Sequence, residues 1–382
     1  MKINSPIPFN RPCWVGNEAE LISEAFANQS IAGDGPFGKK VQSLLEKQLG
    51  VKKALLTTSC THALEMAAIL LNLEPEDEVI VPSYGFVTTA LAFVMQGAKP
   101  VFADIRPDTL NIDEKKLEQL ITDRTRAIVL IHYAGVACEM DTILEIAKHY
   151  GLVVIEDNAH GLYGKYKGKY LGTFGTFGTQ SFHETKNITC GEGGALLINE
   201  PSYIERAEII REKGTNRSQF FRGQVDKYTW IDKGSSYVMS DILAAFLYAQ
   251  MIKKDDIQSK RRQIWAHYYT HLKDWSINNN IQLPTIPAYC ESAYHAFYLL
   301  MPSLDARTRF IKYLKENGIS AVFHYLPLHK SEMGRKLGGE QYLCPVTEKM
   351  SDRLVRLPFF NDLSEKELVV VTKAIQHYVV RA

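Results

Sequence analysis

The sequence predicts an α/β protein with a large, mostly parallel β-sheet covered by helices and a smaller C-terminal α+β domain. Short apolar runs alternate with stretches of helical periodicity through the first two-thirds of the chain, which is typical of a parallel sheet. At 382 residues the chain also exceeds the size at which one hydrophobic core normally keeps growing. We therefore expect a large domain over residues 1–250 and a small domain over residues 251–382.

Six short apolar runs predict the strands of the sheet, at residues 54–56, 78–81, 127–131, 152–155, 178–182 and 195–198. Helical spacing of apolar residues predicts the helices between them, at residues 62–71, 88–95 and 140–149. From about Ser240 a long helical region is predicted. Beyond Leu283 the pattern becomes strand, helix, strand and helix, with prolines at the breaks.

The composition indicates which classes of partner and which cellular compartment to expect. With 44 basic and 43 acidic side chains and no basic block, we expect neither a nucleic acid nor a membrane surface as partner. The six cysteines lack metal-type spacing, so we expect reduced thiols and no metal. The N-terminal segment lacks the apolar core of a signal peptide, and no apolar run is long enough to span a bilayer. These features are typical of a cytoplasmic, soluble protein that binds a small molecule or a second copy of itself.

Polar segments follow four of the predicted strands. They lie at residues 57–61, 83–86, 157–160 and 181–186. Because open parallel sheets bind ligands at the carboxyl ends of their strands, we expect the four segments to meet in one crevice.

Lys186 is the candidate covalent catalyst. It lies between a predicted strand and the glycine-rich turn at residues 191–194. A lysine that is desolvated or close to positive charge has a depressed pKa, which frees its amine to form a Schiff base with an aldehyde or ketone. An ordinary solvated surface lysine is the alternative, so the prediction depends on the residues around it.

Three further side chains could hold a flat, protonated ring. Asp157 ends an apolar strand, where a carboxylate needs a cationic partner such as a pyridine nitrogen; capping of a following helix is the alternative. His160 could cover the ring or bond its substituent, or be a structural histidine. Phe86 could stack on the ring, although phenylalanine more often lies in a core.

The segment at residues 57–61 precedes a predicted helix and offers hydroxyls and backbone N–H groups to an anion, above all a phosphate. We predict phosphate contacts from Ser59, Cys60 and Thr61, with a further hydroxyl from Ser181. Ordinary helix capping is the alternative. Cys190 is rejected as a nucleophile, because no environment that depresses a thiol pKa can be argued for it.

A strand-end aspartate, an anion-binding helix start, an aromatic residue and a later lysine together describe a pyridoxal 5′-phosphate (PLP) site. The motifs TSCT, EDNAH, SFHETKN and GEGG, which begin at residues 58, 156, 181 and 191, resemble those of the DegT/DnrJ/EryC1/StrS sugar aminotransferases. The resemblance covers nearly the whole chain. It implies fold type I of the PLP-dependent transferases, the aspartate aminotransferase-like fold, with a seven-stranded sheet.

Some positions depart from the family pattern. His160 stands where many members have Gln, and Gly85 stands where a Thr or similar residue usually precedes the stacking aromatic. The family's Gly-x-Asn-Tyr-Arg segment, which reaches the cofactor phosphate of the neighbouring subunit, reads Gly-Ser-Ser-Tyr-Val at residues 234–238. Ser236 therefore replaces the Asn as the expected cofactor contact, and the Arg is absent.

The resemblance implies a ping-pong transamination in which Lys186 binds the cofactor and moves the proton, while Asp157 keeps the pyridine nitrogen protonated. Within the family, the closest likeness is to members that transfer an amino group from L-glutamate to C4 of dTDP-4-keto-6-deoxy-D-glucose, giving the galacto amine. Residues 132–141, 214–230 and 324–329 carry this likeness. Contacts to the dTDP-sugar are expected from Gln219, Tyr228, Tyr325 and His329. Because family sites are built at a subunit interface, a homodimer is also expected.

Other activities stay open within this fold. Equatorial amination at C4, or amination at C3, uses the same residues with a differently posed sugar. Family dehydratases replace the lysine with histidine, so Lys186 argues against deoxygenation. A non-catalytic sensor that keeps the pocket is a further alternative, against which the intact Lys186 and Asp157 argue.

Overall fold

The computed structural model describes residues 6–380, in which helices alternate with strands through the first half of the chain. The α-helices are α1 (Glu18–Ala27), α2 (Pro36–Leu49), α3 (Cys60–Leu70), α4 (Thr88–Val94), α5 (Met140–Tyr150), α6 (Ile204–Arg211), α7 (Arg217–Phe221), α8 (Asp241–Ile252), α9 (Lys254–Asn278), α10 (Leu304–Glu316), α11 (Glu332–Lys336), α12 (Pro345–Arg353) and α13 (Glu365–Gln376). The strands are β1 (Lys53–Thr57), β2 (Glu78–Pro82), β3 (Lys99–Ala103), β4 (Thr125–Ile131), β5 (Val153–Asp157), β6 (Lys165–Tyr166), β7 (Lys169–Tyr170), β8 (Phe177–Ser181), β9 (Gly194–Ile198), β10 (Cys290–Glu291), β11 (Tyr298–Leu300) and β12 (Leu354–Arg356).

A seven-stranded sheet forms the centre of the molecule, in the order β1-β9-β8-β5-β4-β2-β3. Strands β8, β5, β4, β2 and β3 are mutually parallel, and β9 runs antiparallel to both of its neighbours. The predicted large, mostly parallel sheet is therefore confirmed. The six strands and three helices predicted in this region agree with the structure to within two residues at each end.

Helices cover both faces of the sheet because successive strand residues point to opposite sides. Leu55 and Val129 belong to a core shared with α3, α4 and α6. Leu56 packs on the other side with α2 and α8, and Ile128 packs there with α5. Both faces are thus apolar, as the nearly continuous apolar runs of the strands require, and the polar groups are left to the strand ends.

One strand of the sheet, β3, was missing from the prediction. It is the edge strand next to β2, and it contains Pro100. Proline has no N–H to donate, so it weakens a strand pattern and is tolerated mainly at an edge. The same residue therefore explains both the missed prediction and the position of the strand.

A second core lies in the C-terminal part of the chain. It is built from α9, α10, α13 and the antiparallel pair β11 and β12, and Ile7 joins it from the other end of the chain. Strand β11, helix α10, strand β12 and helix α13 follow in the predicted order, with short helices between residues 321 and 353. The predicted boundary at residue 250 lies in the last turn of α8 and stays a prediction.

No helix within residues 6–380 has the length and apolar character needed to cross a bilayer. The N-terminal segment, which is predicted to lack the apolar core of a signal peptide, begins with residues 1–5. These five residues lie outside the described residues.

Candidate active site

The four predicted polar segments line one crevice of about 650 Å³ at the carboxyl ends of the parallel strands. Segments after β1, β2, β5 and β8 form one wall, as the topology of an open sheet requires. The opposite wall comes from the C-terminal part of the chain, through residues 323–325 and Arg356. The crevice therefore lies between the sheet and the second core.

Lys186 lies in the loop after β8, with its side chain lining the crevice. Its backbone N–H donates to the carbonyl of His183 at 2.9 Å. Next to it, the Asn187 side chain donates to the carbonyl of Ala293 at 2.6 Å and accepts from Nδ1 of His295 at 2.9 Å. Burial lowers the pKa of Lys186 from 10.5 to about 8. About a tenth of the amine is therefore free at pH 7, which supplies the neutral form that a nucleophilic lysine requires.

Asp157 is the last residue of β5, and its side chain is only 5% exposed. Its carboxylate accepts a 2.6 Å hydrogen bond from Oγ1 of Thr89 and a 3.2 Å hydrogen bond from the N–H of Ala159. Burial raises its pKa, and no cationic side chain forms an ion pair with it within residues 6–380. Turns and not a helix follow at residues 159–163, so the alternative that Asp157 caps a helix is wrong.

The predicted anion site is the N-terminus of α3. Ser59 is the N-cap, and its Oγ accepts a 3.1 Å hydrogen bond from the N–H of His62. Cys60 and Thr61 start the helix, where the first N–H groups have no partner inside the helix. Burial raises the pKa of Cys60, so this residue is a thiol and not a thiolate. Ser181 lines the same crevice from the end of β8.

Gly194 makes this helix start possible. A Cβ atom at residue 194 would lie 2.3 Å from the carbonyl carbon of Ser59 and 2.4 Å from the nitrogen of Cys60. Both atoms belong to the backbone, so they cannot swing away as a flexible side chain could. Any larger residue at position 194 would push β9 and the start of α3 apart.

The two predicted ring contacts, Phe86 and His160, both line the crevice. Phe86 is 55% exposed and lines the crevice, so the alternative that it is a core residue is wrong. His160 stacks on His295 with 4.1 Å between ring centroids, and its Nε2 lies 3.5 Å from the hydroxyl of Tyr325. Burial lowers the pKa of both histidines well below 6.5, so both rings are neutral at physiological pH.

Of the predicted sugar contacts, Tyr325 lines the crevice and stacks on His324 with 3.5 Å between ring centroids. His329 lies elsewhere, buried, with its Nδ1 2.6 Å from Oγ of Ser83 and its Nε2 3.2 Å from a carboxylate oxygen of Glu348. Within this chain His329 is therefore not part of the crevice lining.

Three other predicted contacts lie on a surface segment outside the crevice of their own chain. Gln219 is on α7 and donates to the carboxylate of Glu205. Tyr228 is 53% exposed and packs against Phe220 with 5.8 Å between ring centroids. Ser236 is exposed and forms an isolated backbone bridge with Glu212. The roles proposed for these residues stay predictions.

Several side chains of the site were not predicted. No local sequence signal marks Thr89, His295, His324 or Arg356. Tertiary packing alone brings His295, His324 and Arg356 into the crevice lining and brings Thr89 into contact with Asp157. His324 and Tyr325 belong to a segment that was singled out only because it resembles family members. Of the two, only Tyr325 was predicted to contact the sugar.

Comparison with known proteins assigns the chain to a family. Residues 12–376 match the sequence model of the DegT/DnrJ/EryC1/StrS aminotransferase family. The chain belongs to this family. An uncharacterised protein of Methanocaldococcus jannaschii is 36% identical to it over 381 residues, covering 98% of this chain and 97% of that protein.

Solved structures of similar proteins share the complete fold. The aminotransferase TlmJ from Streptoalloteichus hindustanus superposes with a TM-score of 0.90 at 26% identity, over 97% of this chain and 98% of TlmJ. The PLP form of Spr1654 from Streptococcus pneumoniae, a candidate sugar aminotransferase, gives a TM-score of 0.89 at 25% identity, over 97% and 98% of the two chains. The family uses PLP, and the predicted fold type is confirmed.

The crevice of this DegT-family aminotransferase fits PLP. The buried carboxylate of Asp157, which forms no ion pair within residues 6–380, suits the protonated pyridine nitrogen. The start of α3 suits the phosphate, and Lys186 supplies the amine that bonds to the aldehyde.

Proposed function

We propose that this aminotransferase moves the amino group of L-glutamate to C4 of dTDP-4-keto-6-deoxy-D-glucose. The products are dTDP-4-amino-4,6-dideoxy-D-galactose and 2-oxoglutarate, as in the dTDP-4-amino-4,6-dideoxygalactose transaminases. The observation that carries the transamination is the presence in one crevice of a lysine with a depressed pKa and a buried carboxylate, that of Asp157. The choice of sugar is supported by the likeness of residues 132–141, 214–230 and 324–329 to those enzymes.

Bound PLP supplies an electron sink that stabilises negative charge on the carbon losing its proton. Asp157 Oδ1 and Oδ2 hold the proton on the pyridine nitrogen, in an orientation fixed by Thr89 and Ala159. Nζ of Lys186 acts first as a base, when it takes the proton from Cα of the donor. It then acts as an acid, when it gives that proton up to complete the transfer. Burial suits Nζ to both tasks, since its pKa of about 8 is close to the working pH.

The remaining crevice residues hold the cofactor in place. We assign the phosphate to Ser59, Cys60, Thr61 and Ser181, which offer hydroxyls and unpaired helix N–H groups. Phe86 and His160 cover the ring, and Tyr325 contacts the sugar from the opposite wall. The neutral state of His160 suits stacking on a cationic ring, because it adds no like charge.

A homodimer is supported by an exposed apolar face beside the crevice. Exposed apolar side chains are those of Phe86, Val87, Leu91 and Met95, at 55%, 51%, 39% and 60%. The last three follow a four-residue spacing along one face of α4, with Val87 as its N-cap and Met95 as its C-cap. A second copy of the chain would cover this face. The exposed segment with Gln219, Tyr228 and Ser236 would then contribute to the partner's crevice, as the family resemblance implies. Sedimentation that finds only an active monomer would contradict this arrangement.

The transamination is tested by an absorbance titration. L-Glutamate alone should convert the band of lysine-bound PLP into that of the amine form, and dTDP-4-keto-6-deoxy-D-glucose should then restore it. Lys186→Ala should show neither change while folding normally, because its role is covalent. No band shift in the wild-type protein on addition of glutamate would rule out the transaminase proposal. Equatorial amination at C4 and amination at C3 stay as alternatives to the proposed axial amination at C4. The structure of the sugar product separates the three.

A further inference from the structure

Tyr325, which lines the crevice, has a strained backbone. Its φ angle is 43°, in the left-handed region that a bulky side chain rarely adopts. Such a conformation persists only where the surrounding structure holds the peptide groups on both sides. The carbonyl of His324, before it, accepts a 2.9 Å hydrogen bond from the hydroxyl of Tyr84, which follows β2. The carbonyl of Tyr325 accepts a 2.8 Å hydrogen bond from Oγ of Ser351 on α12. Tyr84 and Ser351 are therefore the two anchors of the strained residue.

A buried histidine joins the two anchors. Nδ1 of His329 lies 2.6 Å from Oγ of Ser83, the residue before Tyr84. Its Nε2 lies 3.2 Å from Oε1 of Glu348, three residues before Ser351 on α12. His329 is only 1% exposed, so water does not compete for these contacts. The side chains of Ser83, His329 and Glu348, which we call the histidine link, therefore tie the element of one anchor to the element of the other.

The partners of His329 assign the protons of its ring. Lys330 donates to Glu348 and holds the pKa of that carboxyl below its ordinary value, so Glu348 is a carboxylate. A carboxylate can only accept, so Nε2 of His329 carries a proton, and Nδ1 of the neutral ring accepts from the hydroxyl of Ser83. The carbonyl of Ser83 also accepts from the N–H of Leu328 at 2.9 Å. The turn is thus bound to Ser83 through its backbone as well, whereas its buried contact with Glu348 is the imidazole.

We propose that His329 is a positioning residue, which keeps Tyr325 in its strained conformation by linking the end of β2 to α12. The inference rests on the proposed function for the ligand of Tyr325, the dTDP-sugar. The first turn of α12 is held separately, since Asp104 accepts from the N–H of Thr347 at 2.8 Å, so the fold does not depend on the link. Without the link Tyr325 relaxes. A sugar that needs the strained form then binds more weakly, in proportion to the fraction of molecules that has lost it.

Three substitutions of His329 separate the link from packing. His329→Gln places an amide N–H near the position of Nε2 and can still donate to Glu348, while the backbone of Leu328 keeps the turn on Ser83. His329→Asn carries the same amide on a shorter side chain, which reaches Ser83 but not Glu348. His329→Phe fills the space without either hydrogen bond.

Two control variants test other causes. Lys330→Gln removes the exposed ion pair with the same carboxylate, which holds the turn only weakly. Val371→Ala removes buried methyl groups from the second core, on α13, and so lowers stability away from the crevice. Hydrogen exchange of the apoprotein, read by mass spectrometry on residues 321–331, measures how firmly the segment is held. Stopped-flow absorbance measures the reaction of the amine form with dTDP-4-keto-6-deoxy-D-glucose.

For His329→Phe and His329→Asn we expect faster exchange in residues 321–331. The half-saturating sugar concentration should rise about 5- to 150-fold, the range that corresponds to the strain of one backbone residue. The maximal rate should stay close to that of the wild type, because Lys186 and Asp157 lie on the sheet wall of the crevice. His329→Gln should recover most of both losses. Both control variants should match the wild type in exchange and sugar affinity, although Val371→Ala melts earlier.

Three results would overturn the inference. Wild-type exchange or wild-type sugar affinity in His329→Phe would show that the histidine does not position Tyr325. Recovery by His329→Asn and not by His329→Gln would leave Glu348 without a part and refute the link. Equal losses in Val371→Ala would assign them to general destabilisation. If the wild-type amine form does not react with the sugar at all, the proposed function fails, whereas hydrogen exchange still decides whether His329 holds the segment.

Discussion

The hydroxyl of Thr89 donates a 2.6 Å hydrogen bond to Oδ2 of Asp157, and both side chains are buried. The bond links the first turn of α4 to the end of β5, so the direction of the carboxylate is fixed by two separate elements of the fold. It satisfies one oxygen of a charge that would be costly to bury alone. Asp157 is thereby oriented before any cofactor binds.

Thr89→Val should weaken PLP binding, because valine keeps the shape of threonine but removes the donor. Hydrogen bonds to charged groups contribute about 1.5–3 kcal/mol, so the affinity should fall by roughly 10- to 150-fold. Equilibrium dialysis of the apoprotein with PLP gives the value. Thr89→Ser keeps the hydroxyl and should bind nearly as well as the wild type; equal losses in both variants would mean that packing and not the hydrogen bond matters.

Asp157→Asn should have a larger effect on turnover than on the fold. The amide is nearly the same size and can still accept from Thr89, but it cannot balance a pyridinium charge. Breaking a buried charge pair typically costs about 2–5 kcal/mol, which predicts a first half-reaction slower by roughly 30- to 5,000-fold. Thermal unfolding of the apoprotein should change little or shift upward, because burial already disfavours the ionised aspartate. A half-reaction at the wild-type rate would contradict the role given to Asp157.

The rate at which the apoprotein captures PLP should depend on pH with a midpoint near 8. Burial lowers the pKa of Lys186 to about 8, and only the neutral amine attacks. From pH 7 to pH 9 the free amine, and with it the rate, should rise about tenfold and then level off, whereas an unperturbed lysine near pKa 10.4 would give a rise of about 100-fold without a plateau. The pKa of His160 lies well below this range, so its ring stays neutral throughout. Stopped-flow absorbance at constant ionic strength distinguishes the two profiles.

Gly194→Ala should destabilise the protein and weaken its hold on the phosphate, because the new methyl group would collide with the backbone of Ser59 and Cys60. Overpacking of this kind typically costs about 1–3 kcal/mol. Gly38→Ala is the matched control, since Gly38 lies in α2 and its Cβ would lie 3.4 Å from Oδ1 of Asp241 on α8, an ordinary van der Waals contact. Calorimetric melting and PLP dialysis of both variants provide the comparison; a Gly194→Ala protein indistinguishable from the control would show that the strand and helix can separate freely.

The sequence was sufficient for the sheet wall of the crevice because that wall depends on local patterns. Each apolar run specified a buried strand, and the parallel topology brought the polar residues that follow these strands to the same edge. Lys186 and Asp157 could therefore be placed in one crevice from sequence. The edge strand β3 escaped detection because Pro100 interrupts its pattern.

The opposite wall could not be predicted, because it depends on how the C-terminal core packs against the sheet. Arg356 lies in a short strand whose sequence gives no sign that its side chain lines the same crevice as Lys186. His329 shows the converse, since the likeness of residues 324–329 had suggested that it contacts the sugar as Tyr325 does. The turn at Leu328–Lys330 instead directs His329 toward Ser83 and Glu348, in the interior.

The central claim is tested most directly by following the nitrogen atom. Purified PLP-loaded protein is incubated with dTDP-4-keto-6-deoxy-D-glucose and ¹⁵N-labelled L-glutamate, and the sugar product is examined by NMR. The account predicts ¹⁵N bonded to C4 in the axial, galacto configuration, with no labelled sugar formed by Lys186→Ala. Label at C3 or in the equatorial position would contradict the proposed product, and a sugar without ¹⁵N would contradict transamination itself.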